Sequence, residues 1–292
     1  MLRKKIFIIL SFLLISSALS SVVSAQNAPQ EKTVTVFSAK IRYLEAGDAA
    51  KPAVILLHGL GGQAENWQFN IAALAANYHV FAPDQIGFGK SDRPLLKYRV
   101  GTYVDFLDKF MSELKIEKAS LVGNSLGGWV AALAAIKYPN RVERIVLADA
   151  AGIKPNEVDF KLVYSLNYST RDEVRALVKL VFYNQAIFGS EIFIDQSLSL
   201  RVAANDGYTI NSLIESIKRD EDFLDAQLAD IKKPTLIIWG KQDGLLKLAD
   251  AEKFNKGIKG SQLIVFDQCG HVPQVEKALD FNREVLKFLE GK

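Results

Sequence analysis

Residues 120 to 129 read SLVGNSLGGW. An apolar run leads into Ser125, Gly123 and Gly127 stand two residues to either side, and a helix-forming stretch follows at once. Glycine weakens both strands and helices. Two glycines at this spacing make sense only where the chain turns hard and its neighbours leave no room for side chains. The segment therefore demands a buried strand that crosses directly into a helix, with one serine at the tip of the turn.

The rest of the chain supplies a frame for such a turn. Thr33 to Phe37 and Ile41 to Ala46 read as a strand pair at a sheet edge. Ala53 to Leu57, Val80 to Ala82, Ser120 to Val122 and Ile145 to Leu147 read as strands, the first a continuous apolar run suited to burial on both faces. Helical spacing falls between them at Trp67 to Asn77, Val104 to Leu114 and Leu126 to Tyr138. Such alternation predicts an α/β fold, a parallel sheet with helices on both faces. It stops at Gly152 and resumes at Pro234 with strand Thr235 to Trp239, helix Lys247 to Phe254, strand Gln262 to Phe266 and helix Phe281 to Leu289. Residues 152–230 hold only helical character, too long for a connecting loop. They are expected to form a cap over the carboxyl edge of the sheet, where such sheets bind ligands. The core is then split into residues 26–151 and 231–292.

Residues 1–25 stand apart. A basic head, Arg3-Lys4-Lys5, precedes about ten apolar residues from Ile6 to Ile15, then a small-residue stretch ending Val23-Ser24-Ala25. This is the pattern of a secretory signal peptide, and the run is short of the ~20 residues needed to span a bilayer. The expectation is a periplasmic or secreted protein with no stable membrane anchor after cleavage. The three charges of the segment equal the whole formal net charge of +3, so the remainder is neutral. Nucleic-acid binding, which wants a basic excess, is not expected. One cysteine, Cys269, permits no internal disulfide, and with three histidines at these spacings it builds no zinc site. No metal or cofactor is expected.

Ser125 at the elbow is a candidate nucleophile, but a serine needs a base. His79 begins a strand, at the wrong edge of a parallel sheet. His58 ends a strand at the correct edge but precedes Gly59, a place suited to shaping the next turn. His271, in DQCGHVPQVE after the last strand, is the expected base, because the base of this arrangement comes last in the chain. Asp243, ending PTLIIWGKQD, satisfies the Ser–Asp–His order and is the expected orienting carboxylate; Asp149, one strand earlier in IVLAD, is its competitor. Asp84 is read as a turn residue holding the Gly87-Phe88-Gly89 loop. Oxyanion donors are expected at the backbone N–H groups of Leu126, next after the serine, and of Leu60 in the turn His58-Gly59-Leu60-Gly61-Gly62. No Lys-Ser or Lys-Thr follows those glycines, which excludes a phosphate-binding P-loop.

Taken together, LLHGLGG, APDQIGFGKSDRP, GNSLGGW, PTLIIWGKQD and GHVPQVEKALDFNREVLKFL resemble the α/β-hydrolase superfamily from about residue 33 to the end. The resemblance implies a mainly parallel eight-stranded sheet with a helical cap. HGLGGQAENW and LADAAGI look most like exported bacterial lipases and esterases with a small cap. GNSLGG and GFGKSD are also similar to hydrolases that cleave carbon–carbon bonds in ring-fission products, which typically carry tryptophan four residues past the histidine, where this chain has Val275. Dehalogenases and epoxide hydrolases would place aspartate at position 125.

The expected activity is hydrolysis of a small neutral ester with a short-to-medium acyl chain. The alternatives are carbon–carbon hydrolysis of a vinylogous diketo acid, or capture of a small ligand on a hydrolase scaffold. Tyr164, Leu177, Val181, Phe182, Phe188, Ile192 and Phe193 are expected to divide between the cap's own core and an acyl pocket.

Overall fold

The computed structural model describes residues 28–155 and 160–291; the segment read as a signal peptide lies outside them. Eight strands form one sheet: β1 Gln30–Val36, β2 Ala39–Ala46, β3 Ala53–Leu57, β4 His79–Pro83, β5 Ala119–Asn124, β6 Val142–Ala148, β7 Thr235–Gly240 and β8 Gln262–Phe266. Their order across the sheet is β1-β2-β4-β3-β5-β6-β7-β8. The first two strands pair antiparallel at the edge, β2 pairs antiparallel with β4, and every pairing from β4 through β8 is parallel.

Side chains alternate across the pleat, so one apolar run feeds two cores. Ile55 and Leu57 of β3 face a core shared with helices α2 (Val100–Glu113) and α3 (Leu126–Lys137). Val54 and Leu56 face the opposite core, shared with α1 (Ile71–Ala75). Helix α3 sits against the middle of the sheet and is buried from Leu126 through Ala135, which explains its lack of a polar face.

Between β6 and β7 the described chain forms five α-helices: α4 Phe160–Ser165, α5 Arg171–Val181, α6 Gln185–Phe188, α7 Glu191–Ala204 and α8 Gly207–Lys218. After β7 come α9 (Leu248–Gly257), then α10 (Pro273–Glu276) and α11 (Ala278–Leu289), which packs on the second core. No helix among the described residues is long and apolar enough to cross a membrane.

One element departs from expectation. Trp67 to Asn77 is not a single helix but a 3₁₀ turn, Ala64–Trp67, followed by the short α1. The interruption is held by Asn70, fully buried, whose Nδ2 donates to Asn282 Oδ1 at 2.7 Å and to the Gln274 carbonyl at 3.1 Å. Asn282 returns a bond to the Phe69 carbonyl at 2.9 Å. These tertiary bonds outcompete helix continuation, because buried amides must be paired.

A charge cluster with a buried centre, Arg42 and Asp84, ties the edge of the sheet to the loops beside it. Arg42 of β2 reaches Glu31, Glu65 and Asp84. Asp84 in turn accepts the N–H groups of Ala64 (2.7 Å) and Lys90 (2.8 Å), and so holds the Gly87–Gly89 loop as expected.

Candidate active site

Ser125 follows β5 and caps α3 with φ +55° and ψ −119°, a strained conformation for a non-glycine residue. Its backbone is clamped by three bonds: Ser125 N–H to the Ala148 carbonyl at 3.0 Å, and Trp129 and Ala151 N–H to the Ser125 carbonyl at 3.1 Å each. The flanking glycines are required by proximity. A β-carbon at Gly123 would lie 2.2 Å from the Gly127 carbonyl oxygen, and one at Gly127 would lie 2.0 Å from that of Leu57. Both positions exclude any side chain, and that exclusion forces the crossing of strand and helix.

The strand ends bring the other residues to the same rim. His271 Nδ1 lies 2.7 Å from Asp243 Oδ2, and both side chains are buried. Asp243 Oδ1 accepts the N–H groups of Leu245 (2.8 Å) and Leu246 (3.0 Å), which fixes the carboxylate. Ser125 and His271 line one cavity of about 890 Å³ together with Leu60 and Leu126. The Ser125 hydroxyl is hydrogen-bonded to no other described residue, as is common for a nucleophile before substrate draws the site together. The N–H groups of Leu60 and Leu126 likewise donate to no described residue and so remain available to an oxyanion.

The two rival histidines are occupied elsewhere. His58 Nε2 accepts the Gln85 N–H at 3.0 Å, which leaves the proton on Nδ1, directed at the Gly59 carbonyl at 2.8 Å. Burial lowers its pKa, keeping the ring neutral. It shapes the turn. His79 pairs with Glu45 at 2.9 Å at the start of β4. The competing carboxylate, Asp149, accepts the Gly240 N–H at 2.9 Å and makes no bond to the imidazole.

The cap supplies much of the cavity wall: Leu177, Val181, Phe182, Phe188 and Phe193 all line it. Phe182, Phe188 and Phe193 form a mutual aromatic cluster, with centroids 4.0 to 5.4 Å apart, that also packs against the cap's own core. Tyr164 and Ile192 do neither. Tyr164 points outward to Glu215 and Lys218, and Ile192 is 73% exposed, because each falls on the solvent side of its helix.

Three contributors escaped the sequence reading. The end of α5 is stitched to both loops of the site: Gly244 N–H donates to the Leu180 carbonyl at 2.9 Å, and His271 N–H to the Val181 carbonyl at 2.7 Å. Glu276 gathers the N–H groups of Gly270 (2.7 Å), Asn184 (2.8 Å) and Tyr183 (3.2 Å), joining the histidine loop to the cap. Arg201 of α7 is the one cation among the described cavity-lining residues. It rests on Gly61, pairs with Asp206 at 2.5 Å, and stacks over Tyr168 at 4.5 Å. The sole advance signal was Gly244, Gly270 and Gly61, where a β-carbon would strike these partners.

A sequence model of the alpha/beta hydrolase fold matches residues 52–278. This chain belongs to the α/β-hydrolase family. Within that family it is 33% identical over 269 residues to the 2-hydroxy-6-oxo-6-phenylhexa-2,4-dienoate hydrolase of Comamonas testosteroni, an alignment covering 86% of this chain and 92% of that one. Among solved structures, a bacterial membrane phospholipase A superposes with a TM-score of 0.82 at 27% identity, over 100% of this chain and 99% of its own. A meta-cleavage product hydrolase from Pseudomonas fluorescens IP01 gives 0.80 at 29% identity, over 89% and 97%. Meta-cleavage product hydrolases and a phospholipase thus both share the fold of this chain.

Proposed function

We propose that this α/β-hydrolase cleaves carboxylic esters with short-to-medium acyl chains through Ser125, His271 and Asp243. The observation that carries the reading is the Asp243–His271 pair at 2.7 Å on the rim of the cavity into which the strained Ser125 opens. Ser125 attacks the ester carbonyl while His271 takes its proton; the Leu60 and Leu126 N–H groups hold the oxyanion. His271 then returns the proton to the departing alcohol, and water, activated by the same ring, releases the acid. A cavity of about 890 Å³ walled by aliphatic and aromatic side chains suits an acyl chain.

Carbon–carbon hydrolysis of a diketo acid is the second reading, supported by the names of relatives such as the Comamonas enzyme. Against it stands the balance of charge. A diketo acid brings a carboxylate, yet the one cation among the described lining residues, Arg201, is already neutralised by Asp206. Val275 adds to this, standing where the resemblance calls for tryptophan.

Ser125→Ala is expected to lower turnover of a p-nitrophenyl ester at least ~10⁴-fold with an unaltered circular dichroism spectrum. Retained turnover would refute the assignment of the nucleophile. A panel of acyl lengths run beside a vinylogous diketo acid separates the two chemistries, and faster turnover of the diketo acid would replace the first reading with the second. We also propose that residues 1–25 direct export and are removed; Edman sequencing of the mature chain should start at Gln26.

A further inference from the structure

Asp149 is buried at the end of β6, where the sequence offers it as an alternative partner for the base. The geometry gives it a different task. Its backbone is held at φ +42°, and its Oδ1 accepts the Gly240 N–H at 2.9 Å. Its Oδ2 is sealed from solvent and receives no hydrogen bond from any described donor. Ligand-type atoms of Asp149, Asp243 and His271 all lie within 4.8 Å of one another. The Asp243 carboxylate already takes two N–H groups on Oδ1 and the imidazole on Oδ2. The titratable groups facing Asp149 are Asp243, Glu276, Cys269 and His271, with no lysine or arginine among them.

An ionised Asp149 would be a buried, half-unpaired charge beside a second carboxylate, which is costly on both counts. A protonated one satisfies itself, since its hydroxyl is a donor and Asp243 Oδ2 has lone-pair capacity for a second bond. We infer that Asp149 is held as the neutral carboxylic acid, donates a hydrogen bond to Asp243, and so positions Asp243 and moderates its pull on His271. Burial first, and the charge of Asp243 second, push the Asp149 carboxyl well above the usual carboxylate range, in accord with that geometry. The consequence reaches the base. Two full negative charges behind the ring would pull on its protons more strongly than one charge that is shared with a donor.

This inference rests on the serine-hydrolase reading, and its test keeps the two apart. A fluorophosphonate labels an activated serine whatever the natural substrate, so the pH dependence of the labelling rate reports the base. Absence of an adduct on Ser125 by mass spectrometry would sink the hydrolase reading alone. For the inference, infrared difference spectra between wild type and Asp149→Asn at neutral pH should show one protonated-carboxyl C=O band in the wild type.

The amide of Asp149→Asn keeps both the acceptor and the donor. Its labelling rate should fall no more than about threefold, with an acid limb within about 0.3 pH unit of wild type. Asp149→Ala loses the donor, so its rate should fall about tenfold and its acid limb rise by about half a unit or more. No C=O band in the wild type, or an acid limb in Asp149→Asn lower by about a unit or more, would mean that a negative charge had been removed and would overturn the proposal. An unmoved limb in Asp149→Ala would reduce Asp149 to a turn residue and overturn it equally. Should the alanine variant fail to fold, the infrared band and the asparagine profile still decide.

Discussion

Ile55 and Ile194 are both sealed from water, yet they keep different company. Ile55 lies in β3, paired on both sides and packed in a core that runs across the sheet into α2 and α3. Ile194 lies in α7 of the cap, in a cluster whose other buried members among the described residues are Val174 and Val178. The cap adds exposed ion pairs, such as Arg171 with Asp195 and Arg175 with Glu191, and leaves Ile187, Ile192 and Leu200 largely in solvent. Small cores with many surface pairs belong to the low-stability end of a protein. The difference teaches where rigidity is spent: the platform fixes Ser125, Asp243 and His271, while the cap walls the cavity and is expected to exchange its amides before the sheet does.

The comparison breaks if the cap proves as firm as the platform, and four measurements bear on it. Arg42→Met leaves Asp84 a buried charge without its cation and should cost about 3–5 kcal/mol in chemical denaturation. Its acid response sharpens the point. Hydrogen bonds from Lys90 and then Arg42 hold the Glu31 carboxyl down to about 2. Burial pushes Glu65 up, but its bonds to Arg42 outweigh this and leave it below its ordinary range. Both are depressed carboxylates. Their contribution is therefore complete above the ordinary carboxylate range and lost as pH falls toward about 2. Wild type should lose stability through that window and Arg42→Met less, since Lys90 still holds Glu31; equal acid slopes would remove the cluster from the account.

Next in size is the isoleucine pair itself. Ile55→Ala should lower global stability by about 3 kcal/mol. Ile194→Ala should instead raise amide exchange in α5 to α7 while protection in β3 to β7 holds; a matching loss of protection throughout would show one cooperative unit. Thr170→Ala removes the residue that caps α5, whose hydroxyl accepts the Glu173 N–H, and should cost about 1 kcal/mol, again read in cap amides rather than in the sheet. Smallest is Asp195→Asn. Its pair with Arg171 is exposed, so the change should stay under about 0.5 kcal/mol and shrink further in salt.

Local chemistry made the platform legible. The glycine spacing around Ser125 encodes a steric requirement that the Leu57 carbonyl enforces, and the apolar runs of β3, β5 and β7 could be nothing but strands buried on both faces. His271 was reached because only three histidines exist, and Asp243 because strand order leaves it next to the base. The residues that tie the site to its surroundings were not legible. Glu276 meets Asn184 across 92 positions, and Arg201 of the cap settles on Gly61 of the platform. Neither contact follows from spacing, because no periodicity relates residues so distant in the chain.

The break at Asn70 was missed for the same reason, since the amide that interrupts the helix answers to Asn282 and Gln274. By itself the sequence determined the sheet and the elbow at 125 and narrowed the candidates for base and carboxylate to a few residues, because each is written in a local pattern or a short inventory. The tertiary structure alone decided which carboxylate touches the imidazole and what company the other one keeps. Asp149 and Asp243 both end strands at the same rim, and only the distance to one ring nitrogen tells them apart.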